Sequence, residues 1–340
     1  MTHHDLAATA QALVAPGKGI LAADESFGTI EKRFKSINLP STEEHRRAYR
    51  EMLFTAKGVG DFVSGVIMFD ETIRHKTKAG MAFPKALATL GVMPGIKVDT
   101  GAKDLAGYPG EKITEGLDGL RERLAEYHAL GATFAKWRAV ITIGKHIPTR
   151  FCIDANAHAL ARYAALCQEA GVVPIVEPEV LMDGDHSGER CAEVTETTLE
   201  SVFFQLHAHR VNLEGMLLKP NMVIPGKKAA TRWSPEQIAK ATVRCFLRAV
   251  PAAVPGIVFL SGGQTPQEAT ANLNAMNAMG GFPWQLSYSY GRALQDEALK
   301  AWGGDTANLA AGQAAFARRG KMVSAARYGK YTAKMEMGVA

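Results

Sequence analysis

The sequence predicts an α/β fold, a single (β/α)8 TIM barrel with an extra N-terminal helix and a C-terminal helical segment. Three observations predict it. Eight short apolar segments recur along the chain, and nearly all are followed by a stretch of helical periodicity; regular alternation of this kind implies a parallel sheet. Several of the segments are near-continuous apolar runs, which suits strands covered on both faces. The first strand is followed by AADESFG and not by the glycine-rich turn that an open dinucleotide-binding sheet requires. Eight such units close most simply into a barrel, here as one domain over 1–340.

The elements follow in order. Residues 6–15 read as an amphipathic helix, preceded by Asp5 and no cation, so they lack the start of a signal peptide; 1–16 is an N-terminal helical extension. The first strand covers 20–23 and ends in Asp24-Glu25-Ser26. Helical pattern covers 29–36. Ser41-Thr42-Glu43-Glu44 then opens a helix to about 56 with a capping-type pattern. The second strand is 63–69 and the third 92–98. A loop with three glycines leads to a helix over 114–130, stopped by Gly131. The fourth strand is 134–141, and a helix over 154–170 follows. The fifth strand is 172–180, with a helix over 189–209. The sixth strand is 213–222; it carries Lys219 near its end and meets Pro220, where a strand stops or becomes an edge. Ser234, with Gln237 three residues on, caps a helix over 234–249. The seventh strand is 257–260, followed by a helix over 265–278, and the eighth is 284–289. Helical stretches fill most of the rest, and 332–340 form a short tail.

Bulk properties narrow the function. The net charge of +5 suits an anionic ligand, but no Lys/Arg run marks a nucleic-acid-binding arm. No apolar run reaches the roughly 18 residues needed to span a bilayer. Cys152, Cys167, Cys191 and Cys245 are far apart and form no CxxC pair, so they read as reduced thiols of a cytoplasmic protein. No histidine stands with a second ligand at metal spacing; His207 and His209, two apart on a helix, do not share a face. No metal site is expected.

Chemistry is written in the strand ends. Asp24 follows the first strand, Lys97 and Asp99 close the third, Lys136 and Arg138 lie in the fourth, Glu177 and Glu179 in the fifth, and Lys219 in the sixth. Alternation puts each same-strand pair on one face, toward the barrel axis or its mouth if Trp137 and Pro178 point away. Taken alone, Lys219 has two readings: a strand-end lysine that snorkels to water, or a desolvated amine poised for a carbonyl. One barrel mouth lined with charges of both signs favours the second, because barrel active sites sit at the C-terminal ends of the strands. Ser261-Gly262-Gly263 after the seventh strand and Ser289-Tyr290-Gly291-Arg292 at the eighth offer hydroxyls, backbone N–H groups and a guanidinium where barrels commonly hold phosphate.

These residues resemble one family. GKGILAADES (17–26), GIKVD (95–99), FAKWR (134–138), IVEPE (175–179), LLKPNM (217–222), FLSGGQ (259–264) and SYGRALQ (289–295) are similar, in order, to class I fructose-bisphosphate aldolases, the Schiff-base type that uses no metal or other cofactor. The resemblance implies reversible cleavage of fructose 1,6-bisphosphate to dihydroxyacetone phosphate and glyceraldehyde 3-phosphate in glycolysis and gluconeogenesis. It implies Lys219 as the imine-forming residue, Glu177 as acid/base with Lys136 close by, Asp24 as acceptor of the C4 hydroxyl proton, and Glu179 as holder of neighbouring cations. Ser261, Gly262, Gly263, Ser289, Gly291 and Arg292 would hold one phosphate. Ser26, Thr29, Arg33, Arg46, Lys97 and Arg138 would serve the other phosphate or the charges around it. The family also suggests a cytoplasmic homotetramer, with sugar bisphosphate and triose phosphates as partners and neither nucleic acid nor membrane. Many members end in a tyrosine that assists proton exchange. This chain stops at Ala340 instead, leaving Tyr328 and Tyr331 as candidate substitutes. The residues alone also admit an isomerase with Glu177 as base and Lys219 purely electrostatic, or a phosphate-binding barrel without turnover.

Overall fold

The computed structural model describes residues 3–337. Helix α1 (His3–Leu13) precedes strand β1 (Gly19–Ala23), and α2 (Phe27–Lys35), α3 (Glu43–Phe54) and the short α4 (Val59–Phe62) lead to β2 (Val63–Met68). Next come α5 (Asp70–Arg74), α6 (Phe83–Thr89) and β3 (Met93–Lys97), then a hairpin of β4 (Gly101–Asp104) and β5 (Lys112–Glu115), and α7 (Leu120–Ala129). The central units are β6 (Phe134–Ile141), α8 (Arg150–Glu169), β7 (Val173–Val180) and α9 (Gly188–Ala208). The chain continues through β8 (Leu217–Leu218), α10 (Pro235–Ala249), β9 (Gly256–Phe259), α11 (Pro266–Met279), β10 (Gln285–Tyr290), α12 (Arg292–Trp302) and α13 (Leu309–Arg327). Strands β1, β2, β3 and β6 to β10 close into a parallel barrel in the order β1-β10-β9-β8-β7-β6-β3-β2.

Local chemistry explains many boundaries. Thr42 caps α3 by accepting the His45 N–H at 3.1 Å. Ser234 with Gln237, and Thr265 with Glu268, form complete capping boxes at α10 and α11. Helix α8 starts four residues before the expected position because Thr149 accepts the Cys152 N–H at 3.2 Å and Glu111 receives the Thr149 N–H at 2.6 Å.

Two sequence expectations need correction. Residues 114–119 are not helical. Gly116 and Gly119 hold φ of 125° and 66°, which no α-helix contains, and the Thr114 hydroxyl donates to the Arg138 carbonyl at 2.8 Å, tying β5 to the barrel. The sixth barrel strand is also far shorter than 213–222. A 3-10 turn occupies Leu213–Gly215, where the Asn212 side chain accepts the Glu214 N–H at 3.3 Å. Pro220 supplies no N–H to a ladder. Beyond Leu218 the backbone bonds its neighbouring strands through the Lys219 N–H on Val176 O (2.8 Å) and the Leu260 N–H on Pro220 O (3.2 Å), and then turns to side chains, as where the Val223 N–H donates to the Thr242 hydroxyl at 2.9 Å.

The hydrophobic residues divide into two clusters. The larger fills the space between barrel and helices; Trp137, pointing outward from β6, packs against Tyr163 of α8 at 5.6 Å between ring centroids. The smaller fills the barrel interior, where Ile20, Ile67, Phe134, Val173, Ile175, Leu217 and Val258 meet Leu6, Ala10, Leu13 and Val14 from α1 and the turn after it. The amphipathic N-terminal segment thus closes the barrel floor. Full burial of a Leu or Val side chain contributes roughly 1.5–3 kcal/mol. Arg327 seals the same end, donating to the carbonyls of Val14 (2.8 Å), Ala15 (3.2 Å) and Lys18 (3.1 Å). No described helix is long and apolar enough to cross a membrane.

Candidate active site

With the floor closed, the charged strand ends stand at the other end of the barrel, around a cavity of about 760 Å³. Lys219 follows β8 directly and is buried, with Nζ 3.1 Å from Glu177 Oε1. Lys136 enters from β6, with Nζ 2.8 Å from Asp24 Oδ2, 3.3 Å from Glu177 Oε2 and 3.9 Å from Asp99 Oδ2. The 3.3 Å contact lacks hydrogen-bond alignment, so Glu177 Oε2 has no hydrogen-bond partner among the described residues. One carboxylate therefore stands between two buried ammonium groups.

Burial alone would raise the Asp24 carboxyl, but Lys136, Lys219 and Lys97 outweigh it and hold the group well below the usual carboxylate range. Burial alone would lower Lys136, but Asp24, Glu177 and Asp99 outweigh it and push the amine well above the ordinary lysine value. Before substrate enters, Lys136 is therefore held as a cation and Asp24 as an anion at neutral pH.

The surrounding charges form a supporting shell. Arg138 Nε lies 2.5 Å from Glu179 Oε2. Asp99 joins three neighbours: its Oδ1 is 2.6 Å from Lys97 Nζ, and its carboxylate accepts the N–H of Arg138 (3.1 Å) and of Gly101 (3.2 Å). Glu25 holds Arg33 at 2.6 Å and Arg50 at 2.5 Å, and accepts from Gln295 at 3.0 Å. Asp99 was seen in the sequence as a strand-end charge without a part in the site, and Glu25 was not singled out. The adjacency of Glu25 to Asp24 was the available signal.

Ser26 and Thr29, at the start of α2, have hydroxyls 3.2 Å apart and face the cavity with Arg33 and Lys97. Ser261, Gly262 and Gly263 follow β9. Arg292 opens α12 and donates to the Gly262 carbonyl at 2.5 Å, joining the turns after β9 and β10. Ser289, Gly291 and Arg292 line the same cavity, and the buried Ser289 hydroxyl has no hydrogen-bond partner among the described residues.

Arg46 stands apart from the other candidates and does not line the cavity. Glu71 holds it through two bonds of 2.8 and 2.5 Å, and it donates to Ser41 O at 2.6 Å. The two tyrosines considered for proton exchange also lie elsewhere. Tyr328 is exposed near Gly17, on the floor side, and Tyr331 donates to Glu336 at 2.7 Å and lines a neighbouring cavity. The tip of the tail, 338–340, lies outside the described residues. Among the described residues no group of three His, Cys, Asp or Glu side chains is placed to hold a metal ion, and the four cysteines are free and buried.

Fold and site together define a (β/α)8-barrel enzyme built around a buried amine–carboxylate pair. The comparisons with known proteins narrow the class. The family model for class I fructose-bisphosphate aldolase matches residues 5–340. A protein of Xanthomonas campestris pv. campestris named "Probable fructose-bisphosphate aldolase class 1" is 59% identical over 97% of this chain and 99% of its own. A cytosolic fructose-bisphosphate aldolase of Arabidopsis thaliana is 54% identical over 98% of this chain and 86% of its own. The solved structure of Plasmodium falciparum fructose-bisphosphate aldolase, in complex with TRAP and a small-molecule inhibitor, superposes with a TM-score of 0.96 at 50% identity, covering 97% of this chain and 95% of that one. The chain belongs to the class I fructose-bisphosphate aldolase family. It is a carbon–carbon lyase that reversibly cleaves fructose 1,6-bisphosphate to two triose phosphates through a lysine Schiff base, in glycolysis and gluconeogenesis.

Proposed function

We propose that Lys219 is the imine-forming residue and that the charged groups around it divide the proton transfers among themselves. Lys219 passes one proton to Glu177 across the 3.1 Å contact, and the freed amine adds to the ketose carbonyl at C2 to give a carbinolamine. Glu177, 3.1 Å from Nζ, protonates the departing hydroxyl, and loss of water leaves a protonated imine. Asp24, held ionised beside Lys136, takes the C4 hydroxyl proton. The C3–C4 electron pair then moves into the iminium, releasing the aldehyde and leaving an enamine on Lys219. Protonation at C3 and hydrolysis of the imine return the free amine and dihydroxyacetone phosphate. The iminium is the electron sink, so this route uses no metal or other cofactor.

The two ends of the cavity receive the two phosphates. Ser261, Gly262, Gly263, Ser289, Gly291 and Arg292 hold one through backbone N–H groups, hydroxyls and a guanidinium. Ser26, Thr29, Arg33, Lys97 and Arg138 serve the other, with Glu179 fixing Arg138, while Arg46 is held outside the cavity by Glu71. Held at both ends, the sugar presents its reacting bond to Lys219, so remote binding energy orients the chemistry. The protein works as one barrel domain per subunit of a cytoplasmic homotetramer; relatives named as cytosolic or cytoplasmic support the compartment.

The observation that carries this reading is Glu177 between Lys219 and Lys136. The test is to incubate the enzyme with dihydroxyacetone phosphate, reduce with borohydride and map the adduct by mass spectrometry. A single adduct on Lys219 is expected, and active protein with Lys219 unmodified would overturn the assignment. Sedimentation equilibrium tests the tetramer.

A further inference from the structure

Most cations lining the active-site cavity are held by largely buried carboxylates: Lys136 and Lys219 by Glu177, Lys97 by Asp99, Arg138 by Glu179. Lys227 is different. It lines the same cavity, but its partner is Asp183, with Nζ 3.0 Å from Oδ1 and side-chain exposures of 42% for the lysine and 65% for the aspartate. An ion pair this exposed is weak and readily exchanged.

The Lys227 side chain also lies on the glycine turn after β9. A Cβ placed on Gly263 would come 2.0 Å from Lys227 Cε and 2.4 Å from Nζ, so the ammonium rests where any other residue would put its side chain. The Gly263 N–H donates at 3.2 Å to the thioether of Met182, a weak acceptor that an anion readily replaces. The backbone beneath Lys227 is fixed. Its N–H bonds Met182 O at 2.8 Å, Gly226 N–H bonds His186 O at 2.9 Å, and Lys228 N–H bonds Gly184 O at 2.8 Å. The ammonium already lies against the turn, so a small side-chain rotation turns it from Asp183 to an anion seated there.

We propose that Lys227 is a further phosphate-binding residue, which leaves Asp183 to pair with the substrate phosphate seated on Ser261, Gly262, Gly263 and Arg292. This rests on the phosphate role proposed above for that turn. A dianion offers the ammonium more charge and more acceptor oxygens than the exposed aspartate does. Lys227 thus adds binding energy without touching the reacting carbons.

The test compares Lys227→Met, Lys227→Arg and Asp183→Asn, measuring kcat, KM for fructose 1,6-bisphosphate and competitive inhibition by inorganic phosphate. Lys227→Met is expected to raise KM and weaken phosphate inhibition by about tenfold each, the value of one charge-assisted hydrogen bond, with kcat within about twofold. Lys227→Arg is expected to stay within about threefold, because the charge is kept. Asp183→Asn is expected to leave KM unchanged or lower it, since it removes a competitor for the ammonium. Unchanged KM and phosphate inhibition in Lys227→Met overturn the proposal. So does an Asp183→Asn variant as impaired as Lys227→Met, which would mean that the ion pair only supports the loop. Borohydride trapping on Lys219 is run alongside in wild type: absence of the adduct there strikes the imine assignment, whereas a normal adduct with an unaffected Lys227→Met strikes only this proposal.

Discussion

Lys136 and Glu177 meet on a diagonal between neighbouring strands. In register, Lys136 of β6 lies opposite Ile175 of β7, two residues before Glu177, yet its ammonium is 3.3 Å from Glu177 Oε2. The same step recurs one layer nearer the mouth. Arg138 lies opposite Glu177 in register and pairs with Glu179 at 2.5 Å. Two strands with charges on alternate residues thus build two stacked ion-pair layers, a buried one at the chemistry and a more open one above it.

The buried layer ties activity to stability. Lys136→Met is expected to lower kcat by about 10²–10³-fold, the usual cost of removing one charge-stabilising group from a reacting centre. It also leaves Asp24 and Glu177 facing each other without their shared cation, which is expected to cost about 3–5 kcal/mol in urea unfolding. A variant that loses the stability but keeps kcat would reduce Lys136 to a structural part.

The pH dependence of stability follows from the same pair. Asp24 is depressed in the folded state, so its contribution is fully present above about pH 4, the ordinary carboxylate value, and is lost as pH falls below it. Lys136 is raised, so its contribution is fully present below about pH 10 and is lost only as pH rises beyond it. The pair is therefore expected to add a constant stabilisation across neutral pH. Urea unfolding from pH 3 to 7 should show a shallower acid limb in Asp24→Asn than in wild type; identical limbs would contradict the assignment.

Ser289 sets stability against binding. Its buried hydroxyl has no hydrogen-bond partner among the described residues, a state that costs about 1–3 kcal/mol. Ser289→Ala is expected to leave Tm unchanged or higher while raising KM severalfold. A lower Tm with unchanged KM would assign the hydroxyl to the fold and not to the ligand.

The barrel floor offers the opposite separation. Leu13 is fully buried in the cluster that closes the barrel, remote from the charged layers. Leu13→Ala is expected to destabilise by about 2–5 kcal/mol with kcat unchanged at 25 °C, measured by thermal unfolding and steady-state assay.

Strand periodicity was the most readable signal in the sequence. It placed β6 over 134–141, with Trp137 outward and Lys136 inward, because alternation is a property of the backbone itself. Helix caps were readable for the same local reason, as at Ser234. The brevity of β8 was hidden, since it depends on which neighbour's N–H and C=O groups reach the chain around Pro220. The β4–β5 hairpin fell mostly in the stretch read as a glycine-containing loop; only its last residues, Thr114 and Glu115, were read as helix, and the backbone angles at Gly116 and Gly119 decide against one. Arg46 could not be told from Arg33 by residue type. What separates them is their carboxylates: Glu71 holds Arg46 away from the cavity, while Glu25 holds Arg33 at its edge. The part of Lys227 was invisible for the same reason, because its nearness to Gly263 is created by loops 36 residues apart in the chain (227 and 263).

The last described residues run antiparallel to α11. Gly329 packs on Ala278 near that helix's C-terminal end, Tyr331 bonds Asn274 at 2.8 Å, and Glu336 pairs with Arg319 and bonds Gln267 in the first turn. Helix α1 sits on the floor. The two ends of the described chain therefore offer unequal handles to an experimenter. A surface tether or fluorescent tag joined at the exposed Gln11 of α1 hangs from the sealed end, whereas the same attachment at the exposed Met337 is delivered on the side of the opening through which substrate must pass. Immobilised enzyme should accordingly keep its turnover when anchored at Gln11 and lose part of it when anchored at Met337.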